Sequence, residues 1–185
     1  LLPSGWSRTT INQTLSFIGG GTPDKKISSY WDGSISWASV KDIKNKHLHS
    51  TLDTITEAGV NNSATQLAQP NEVLLVTRIS PGNATIAKKE TAINQDLKIV
   101  NIHQGITPEF TYYLFKFLKE DIINRSSGTT VLGITLTNLG GIPFYLPPLA
   151  EQTRIVTKIE KLFSELDEGV TSLNKAKEQL VIYRQ

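Results

Sequence analysis

The 185-residue sequence contains no cysteine and no methionine. Without thiols there can be no disulfide, thiolate metal site or cysteine nucleophile. Histidine is scarce as well: His47, His49 and His103 are too scattered for a ligand set, so no metal or cofactor is expected, and His47 and His49 read as exposed loop or strand positions. No run approaches the ~20 apolar residues of a membrane span, and the first residues have neither a basic start nor a long apolar stretch. The expectation is a soluble, cytoplasmic protein without membrane contact. Position 1 is Leu, and the chain stops at Gln185 without a capping glycine or proline, so both ends are expected to be boundaries within a longer protein. Enzyme signatures are also missing: no P-loop, no G-x-S-x-G elbow, no H-E-x-x-H, no dinucleotide glycine fingerprint and no Asn- or Asp-Pro-Pro-aromatic run. That lowers the expectation of catalysis without removing it.

What is present divides in two. The last forty residues carry a heptad: with Ile159 at position a, Leu166, Leu173 and Leu180 fall on later a positions, while Leu162, Gly169, Ala176 and Tyr183 fall on d. Pro147 and Pro148 set the start near residue 149 or 150. A helix of some 35 residues reaches roughly 50 Å, more than one small domain covers, so a partner helix is expected on those a and d residues. The small d residues Gly169 and Ala176 leave room for a second backbone. The alternative is a helix folded back on its own domain as one amphipathic layer.

Residues 1–146 read as a globular body. They include the excess of positive charge, since residues 1–150 hold 13 Lys and Arg against 11 Asp and Glu, whereas residues 151–185 hold six of each. Lys25, Lys26, Lys41, Lys44 and Lys46 cluster in sequence, followed by Arg78, Lys88 and Lys89, a composition that suits a phosphate-binding face but also ordinary solvated surface. Residues 11–18 fit a short helix or a strand. The run Gly19-Gly20-Gly21-Thr22-Pro23 is a loop that can approach a phosphate closely or simply connect. Residues 34–40 alternate as a strand with Ile35 and Trp37 on one face, residues 72–77 form the most apolar, central strand, and residues 84–87 and 97–102 are two more. Arg78 leaves the central strand into the loop 78–83, a good position for ligand contact. Asn94-Gln95 can read adenine through its amides, but such pairs more often tie loop backbone. Thr107-Pro108-Glu109 starts a packed amphipathic helix running to about residue 122. The loop 124–130, with Arg125, Ser127 and Thr129, has the composition of a phosphate contact, and residues 131–137 and 142–146 read as strands. The fold class is α+β: a strand-rich body followed by a coiled-coil-forming helix over residues 147–185.

Four pieces resemble the specificity subunit of type I restriction-modification systems: Gly20-Gly21-Thr22-Pro23; Ile35-Ser36-Trp37 followed by Asp42-Ile43; Asn94-Gln95; and Leu146-Pro147-Pro148-Leu149 with Glu151-Gln152 and Arg154-Ile155. The last is the most specific. The resemblance covers essentially the whole chain and implies one target recognition domain, residues 1–146, plus one conserved helical region. In that family each recognition domain reads half of a bipartite DNA target. Separate modification subunits bring S-adenosylmethionine and methylate adenine, and restriction subunits supply ATP-driven translocation and cleavage. The chain is therefore expected to be a non-catalytic reader of double-stranded DNA. Its helix would act as spacer and dock for modification subunits, pairing antiparallel with a second copy when only this half is present. Gly20, Gly21, Thr22, Lys25, Lys26, Arg78, Asn94, Gln95, Arg125, Ser127 and Thr129 are the expected DNA contacts, with Arg78 first in line for a base. The rival expectations are a coiled-coil interaction module that binds no DNA and an enzyme using unmarked residues.

Overall fold

The structure is a computed structural model that describes residues 3–103 and 105–183; residues 184 and 185 of the expected helix lie outside it. The body opens with β1 (Ser7–Thr10), whose antiparallel partner is the body's last strand: Ser7 faces Leu146 and Thr10 faces Pro143. Residues 11–18, ambiguous by pattern, are both things at once. A single turn, α1 (Ile11–Thr14), is closed by Gln13 Oε1 accepting from the Thr10 amide at 3.0 Å, and β2 (Leu15–Gly19) follows.

Next come β3 (Trp31–Ala38), β4 (His47–Leu48), β5 (Asp53–Ile55), α2 (Glu57–Asn61), β6 (Gln66–Ala68), β7 (Val73–Val76), β8 (Ala84–Ala87), β9 (Thr91–Ile93) and β10 (Leu97–Ile102). They build a five-stranded sheet, ordered β2-β10-β7-β8-β4, and a four-stranded sheet, ordered β5-β3-β9-β6. The strand β7 is interior to its sheet and buried at all four residues, as its unbroken apolar run requires. The consecutive strands β9 and β10 belong to different sheets. Asn94, Gln95 and Asp96 therefore form the corner between them.

One face of the larger sheet is covered by α3 (Pro108–Phe117) and α4 (Lys119–Asn124), with Phe115 and Ile122 fully buried against Leu15, Val73, Leu75 and Ile86. Burying a side chain such as Phe115 contributes about 1.5–3 kcal/mol. Thr107 caps α3, its Oγ1 accepting from the Phe110 amide at 3.2 Å. The expected single helix breaks at Leu118 (φ −81°, ψ 3°), and Phe117 at its end stands 80% exposed rather than packed. The opposite face packs Leu74, Val76 and Ile99 against Ala38 and Ile93 of the second sheet.

Residues 131–137 are not the expected strand. Gly133 makes isolated bridges to Arg78 and Ser127, then Thr135 caps the short α5 (Leu136–Gly140), accepting from the Asn138 amide at 3.2 Å. A lone glycine at the pairing position and a hydroxyl ready to cap override the β-branched residues. β11 (Pro143–Leu146) closes onto β1.

After Pro147 and Pro148 the helix α6 (Leu149–Tyr183) begins. Gln152, fully buried, fixes its base: Oε1 accepts from the Thr107 amide at 3.1 Å, and Nε2 donates to the carbonyls of Gly105 (2.7 Å) and Pro147 (2.9 Å). Val156 is buried and Ile155 and Ile159 are half-buried, but every side chain described beyond residue 160 is exposed. The helix does not fold back over its own body. The fold is α+β, and no helix among the described residues is long and apolar enough to cross a membrane.

Candidate functional site

Three loops distant in sequence converge beside the corner between the sheets. Gly21 donates its amide to the Ile93 carbonyl at 3.0 Å, which holds the loop after β2 against the end of β9. A Cβ on Gly20 would sit 2.3 Å from the Ile93 carbonyl oxygen, and one on Gly21 2.6 Å from the Ala64 carbonyl carbon. The missing side chains make room for protein, so the close approach expected toward a phosphate is instead toward β9 and residue 64. Trp37, buried as expected for a core aromatic, donates Nε1 to the Gly21 carbonyl at 3.2 Å. Thr22 Oγ1 then donates to Gln95 Oε1 and ties this loop to the corner.

At the corner Asn94 and Gln95 have different fates. Asn94 is buried, its Oδ1 accepting from the Asp96 amide at 3.0 Å and its Nδ2 donating to Asp96 Oδ2 at 3.2 Å. Its amide is used within the protein. Gln95 is exposed. Asp96, thus oriented, places Oδ1 3.2 Å from Arg78 Nη1, and the Arg78 side chain remains 51% exposed. The second loop is joined through its backbone, because Thr77 donates its amide to the Asp96 carbonyl at 2.9 Å. Gly133 pairs with both Arg78 and Ser127, so the loop carrying Arg125, Ser127 and Thr129 lies alongside, with all three side chains exposed.

Thr22, Lys25, Lys41, Ile79, Gln95 and Asp53 line a cleft of about 580 Å3 here. Lys26 is exposed two residues after Asp24, whose Oδ1 accepts from the Lys26 amide at 2.9 Å. The wider lysine cluster does not assemble on this face. Lys46 pairs with Glu160 at the base of α6 and lies over the Tyr113 ring, while Lys44 lines a separate pocket with Lys116 and Lys119. Of the clustered lysines Lys41 does line the cleft, and sequence reasoning missed Ile79, Asp96 and Lys98. Ile79 is a β-branched residue at φ 73° and 55% exposed, a strained apolar side chain held at the lip of the cleft. Lys98 donates to the Gln95 carbonyl at 3.0 Å, and burial lowers its pKa against the opposing pull of Asp96. A buried, oppositely charged support under Arg78 was visible in sequence only as an Asp two residues after Asn94, a spacing with no independent signal.

The arrangement offers exposed cations, a supported guanidinium, amide and hydroxyl groups and one apolar tip along an open cleft. Asp53 and Asp96 are the carboxylates among the residues that line it. Fold and site together define a small α+β binding body carried on a projecting helix. The chain belongs to the type I restriction modification DNA specificity domain family, whose sequence model matches residues 3–178. It is 31% identical over 169 residues to the specificity subunit of the type I restriction enzyme EcoR124I/EcoR124II of Escherichia coli, covering 88% of this chain and 42% of that protein. It is 28% identical over 186 residues to the MjaIX specificity subunit of Methanocaldococcus jannaschii, covering 98% and 43%. Among solved structures it is similar to the HsdS subunit from Thermoanaerobacter tengcongensis, with a TM-score of 0.70 at 23% identity over 91% of this chain and 40% of that one. The S subunit from M. genitalium is also similar, with a TM-score of 0.64 at 18% identity over 91% and 42%. The chain thus spans less than half the length of these relatives.

Proposed function

We propose that this chain is a non-catalytic DNA-reading half of a type I specificity subunit. Its body, residues 1–146, reads one part of a bipartite site, while its helix region, residues 147–185, spaces two bodies and docks modification subunits, through which restriction subunits join in the cytoplasm. The observation that carries the reading is the convergence of loops distant in sequence beside one open cleft, with Asp96 in its wall paired to the exposed Arg78. Arginine hydrogen-bonding the O6 and N7 of guanine is the commonest specific base contact, and Arg78 is the candidate for it. Lys25, Lys26, Arg125, Ser127 and Thr129, all exposed, are the candidates for phosphate contacts, joined by Lys41 from the lysine cluster. Thr22 and Gln95 present polar groups at the cleft, and Ile79 offers an apolar contact of the kind that suits a thymine methyl. Gly20, Gly21 and Asn94 support these groups from behind and are not themselves readers.

Selection of bound duplexes from a random pool, by the chain assembled with its modification subunits, tests this directly. The expected outcome is a defined half-site for the native protein and loss of preference at one base pair for Arg78→Ala. An unchanged selected sequence would sink the assignment of Arg78, and no selected sequence at all would sink the reading of the body as a recognition domain.

A further inference from the structure

At the other end of the loop 78–83 from Arg78, a second recess of about 220 Å3 opens against the residues before β4 and the junction of α3 with α4. Lys44, Lys116 and Lys119 converge on it, with Gly82, Asn83 and Tyr112 beside them. No carboxylate is among the described residues that line it, and none of the three ammonium groups takes part in an ion pair among the described residues. Lys46, two residues after Lys44, is by contrast paired with Glu160. Three like charges gathered in one recess repel one another, and a bound anion relieves that repulsion.

Two of the lysines are held rather than loose. Lys119 Nζ donates to Asn83 Oδ1 at 2.7 Å, which engages the amide oxygen and leaves the Asn83 amide hydrogens for a ligand. Lys116 Nζ stands 5.6 Å from the ring centroid of Tyr112, a side chain only 5% exposed, within reach of the attraction between a cation and an aromatic face. Gly82 turns the loop at φ 90°, and a Cβ there would stand 3.1 Å from Lys119 Cγ, so glycine also makes room for the lysine stem. Ammonium and amide donors without a charged acceptor suit a phosphate group, whose oxygens accept several charge-assisted hydrogen bonds at once.

Recess and cleft occupy the same end of the five-stranded sheet. Val76 pairs with Leu97 and Leu75 with Ala84, so the corner at Asn94–Asp96 and the loop 78–83 emerge together. The strand β4 runs parallel to β8, which brings residues 43 and 44 to that end as well. Two segments join the sites: Ile79 lines the cleft while Gly82 and Asn83 line the recess, and Lys41 lines the cleft while Lys44 lines the recess. Three residues span at most about 11 Å, the rise of about three nucleotides along one DNA strand. Resting on the reading of the body as a DNA reader, we propose that the recess is a phosphate-binding site separate from the reading cleft, in which Lys44, Lys116 and Lys119 hold one phosphate group. A backbone phosphate of the bound duplex, about three nucleotides from the base pair at the cleft, offers that chemistry, and so does free phosphate.

Duplexes carrying one uncharged methylphosphonate linkage, moved a nucleotide at a time through the half-site and its flanks, test the first source with the chain assembled with its modification subunits. The native protein should lose about tenfold in affinity when the linkage falls at the recess. Lys44→Gln combined with Lys116→Gln should be indifferent to that linkage while keeping the same selected sequence and its response to the other linkages. Lys44→Arg combined with Lys116→Arg should recover the response. Both lysines are exposed, so the urea midpoint should not move, which separates loss of the contact from loss of the fold. The second source is tested by titrating inorganic phosphate into the full chain without DNA and following the backbone amide resonances of Gly82 and Asn83. A saturable shift in the native chain, absent from the Lys44→Gln, Lys116→Gln variant, supports the site. A linkage effect assigns the phosphate to the DNA backbone, and a shift without one assigns it to free phosphate. If neither measurement distinguishes the native chain from that variant, the recess holds no phosphate and the proposal is overturned. A chain that selects no DNA sequence would sink the reading of the body instead, and the phosphate titration would still decide the recess.

Discussion

Arg78 is presented by a relay rather than left loose. Asn94 orients Asp96, and Asp96 holds Nη1 of Arg78, so the guanidinium reaches the cleft edge with part of its rotamer entropy already lost. Arg78→Ala should therefore cost about 1–3 kcal/mol of specific DNA affinity. Asp96→Asn should cost less overall while lowering discrimination at the base pair proposed for Arg78, and Asp96→Glu should restore part of it. Competition binding with single-base variants of the site measures both effects. If Asp96→Asn reduced binding equally to all sequences, Asp96 would be a fold residue and nothing more. A purely structural counterpart is Gln152, which makes three hydrogen bonds while fully buried. Gln152→Leu should strand the Thr107 amide and two carbonyls and destabilise the body by about 1–3 kcal/mol per group left without a partner, measurable in urea. Sequence pattern drew attention to both sites, since Asn94-Gln95 and Glu151-Gln152 belong to the recognisable pieces. It could not say that Asn94 faces inward and Gln95 outward, because that follows from the chain passing between two sheets at that point.

At the scale of elements, legibility followed the length of the apolar pattern. The run that became β7 and the capped start of α3 were plain, whereas β5, β6 and β9, of three residues each, are too short to show alternation and are defined by their neighbours. The packing of α3 against α6 was also invisible, and it has a measurable signature. Tyr113 on α3 has its pKa pushed up to about 12 by burial first and then by the negative charge of Glu160, which pairs with Lys46 above the ring. The folded protein thus keeps a phenolic proton that the unfolded chain releases at its ordinary pKa of 10.0. Its contribution is fully present below that value and is lost as pH rises toward about 12. Urea midpoints should decline across this alkaline range, and Tyr113→Phe should decline less. Equal slopes for the two proteins would place the titration elsewhere.

For the whole molecule, if the helix that leaves its body pairs as proposed, binding and spacing become properties of two bodies together. The body alone carries only a small excess of positive charge, and the exposed cations near the cleft are few: Lys25, Lys26, Lys41, Arg78 and Arg125. Each phosphate neutralised contributes about −0.9 to the slope of log affinity against log salt. If three or four of these cations meet phosphates, one body should show a slope of about −3, and two bodies held on one duplex should show about twice that. Replacing Leu166 and Leu173 by aspartate puts charge into the seam without touching any residue packed on the body, since both are exposed in a single chain. The paired protein should then bind a duplex containing two suitably spaced half-sites with the steeper slope. The Leu166→Asp, Leu173→Asp variant should fall to the shallower slope and lose its dependence on the spacing, while keeping the same half-site preference. Anisotropy titrations over a salt series, on duplexes whose half-sites are moved apart one base pair at a time, separate these outcomes. Retention of the steep slope and of the spacing optimum by that variant would show that something other than the helix seam holds the two bodies in register.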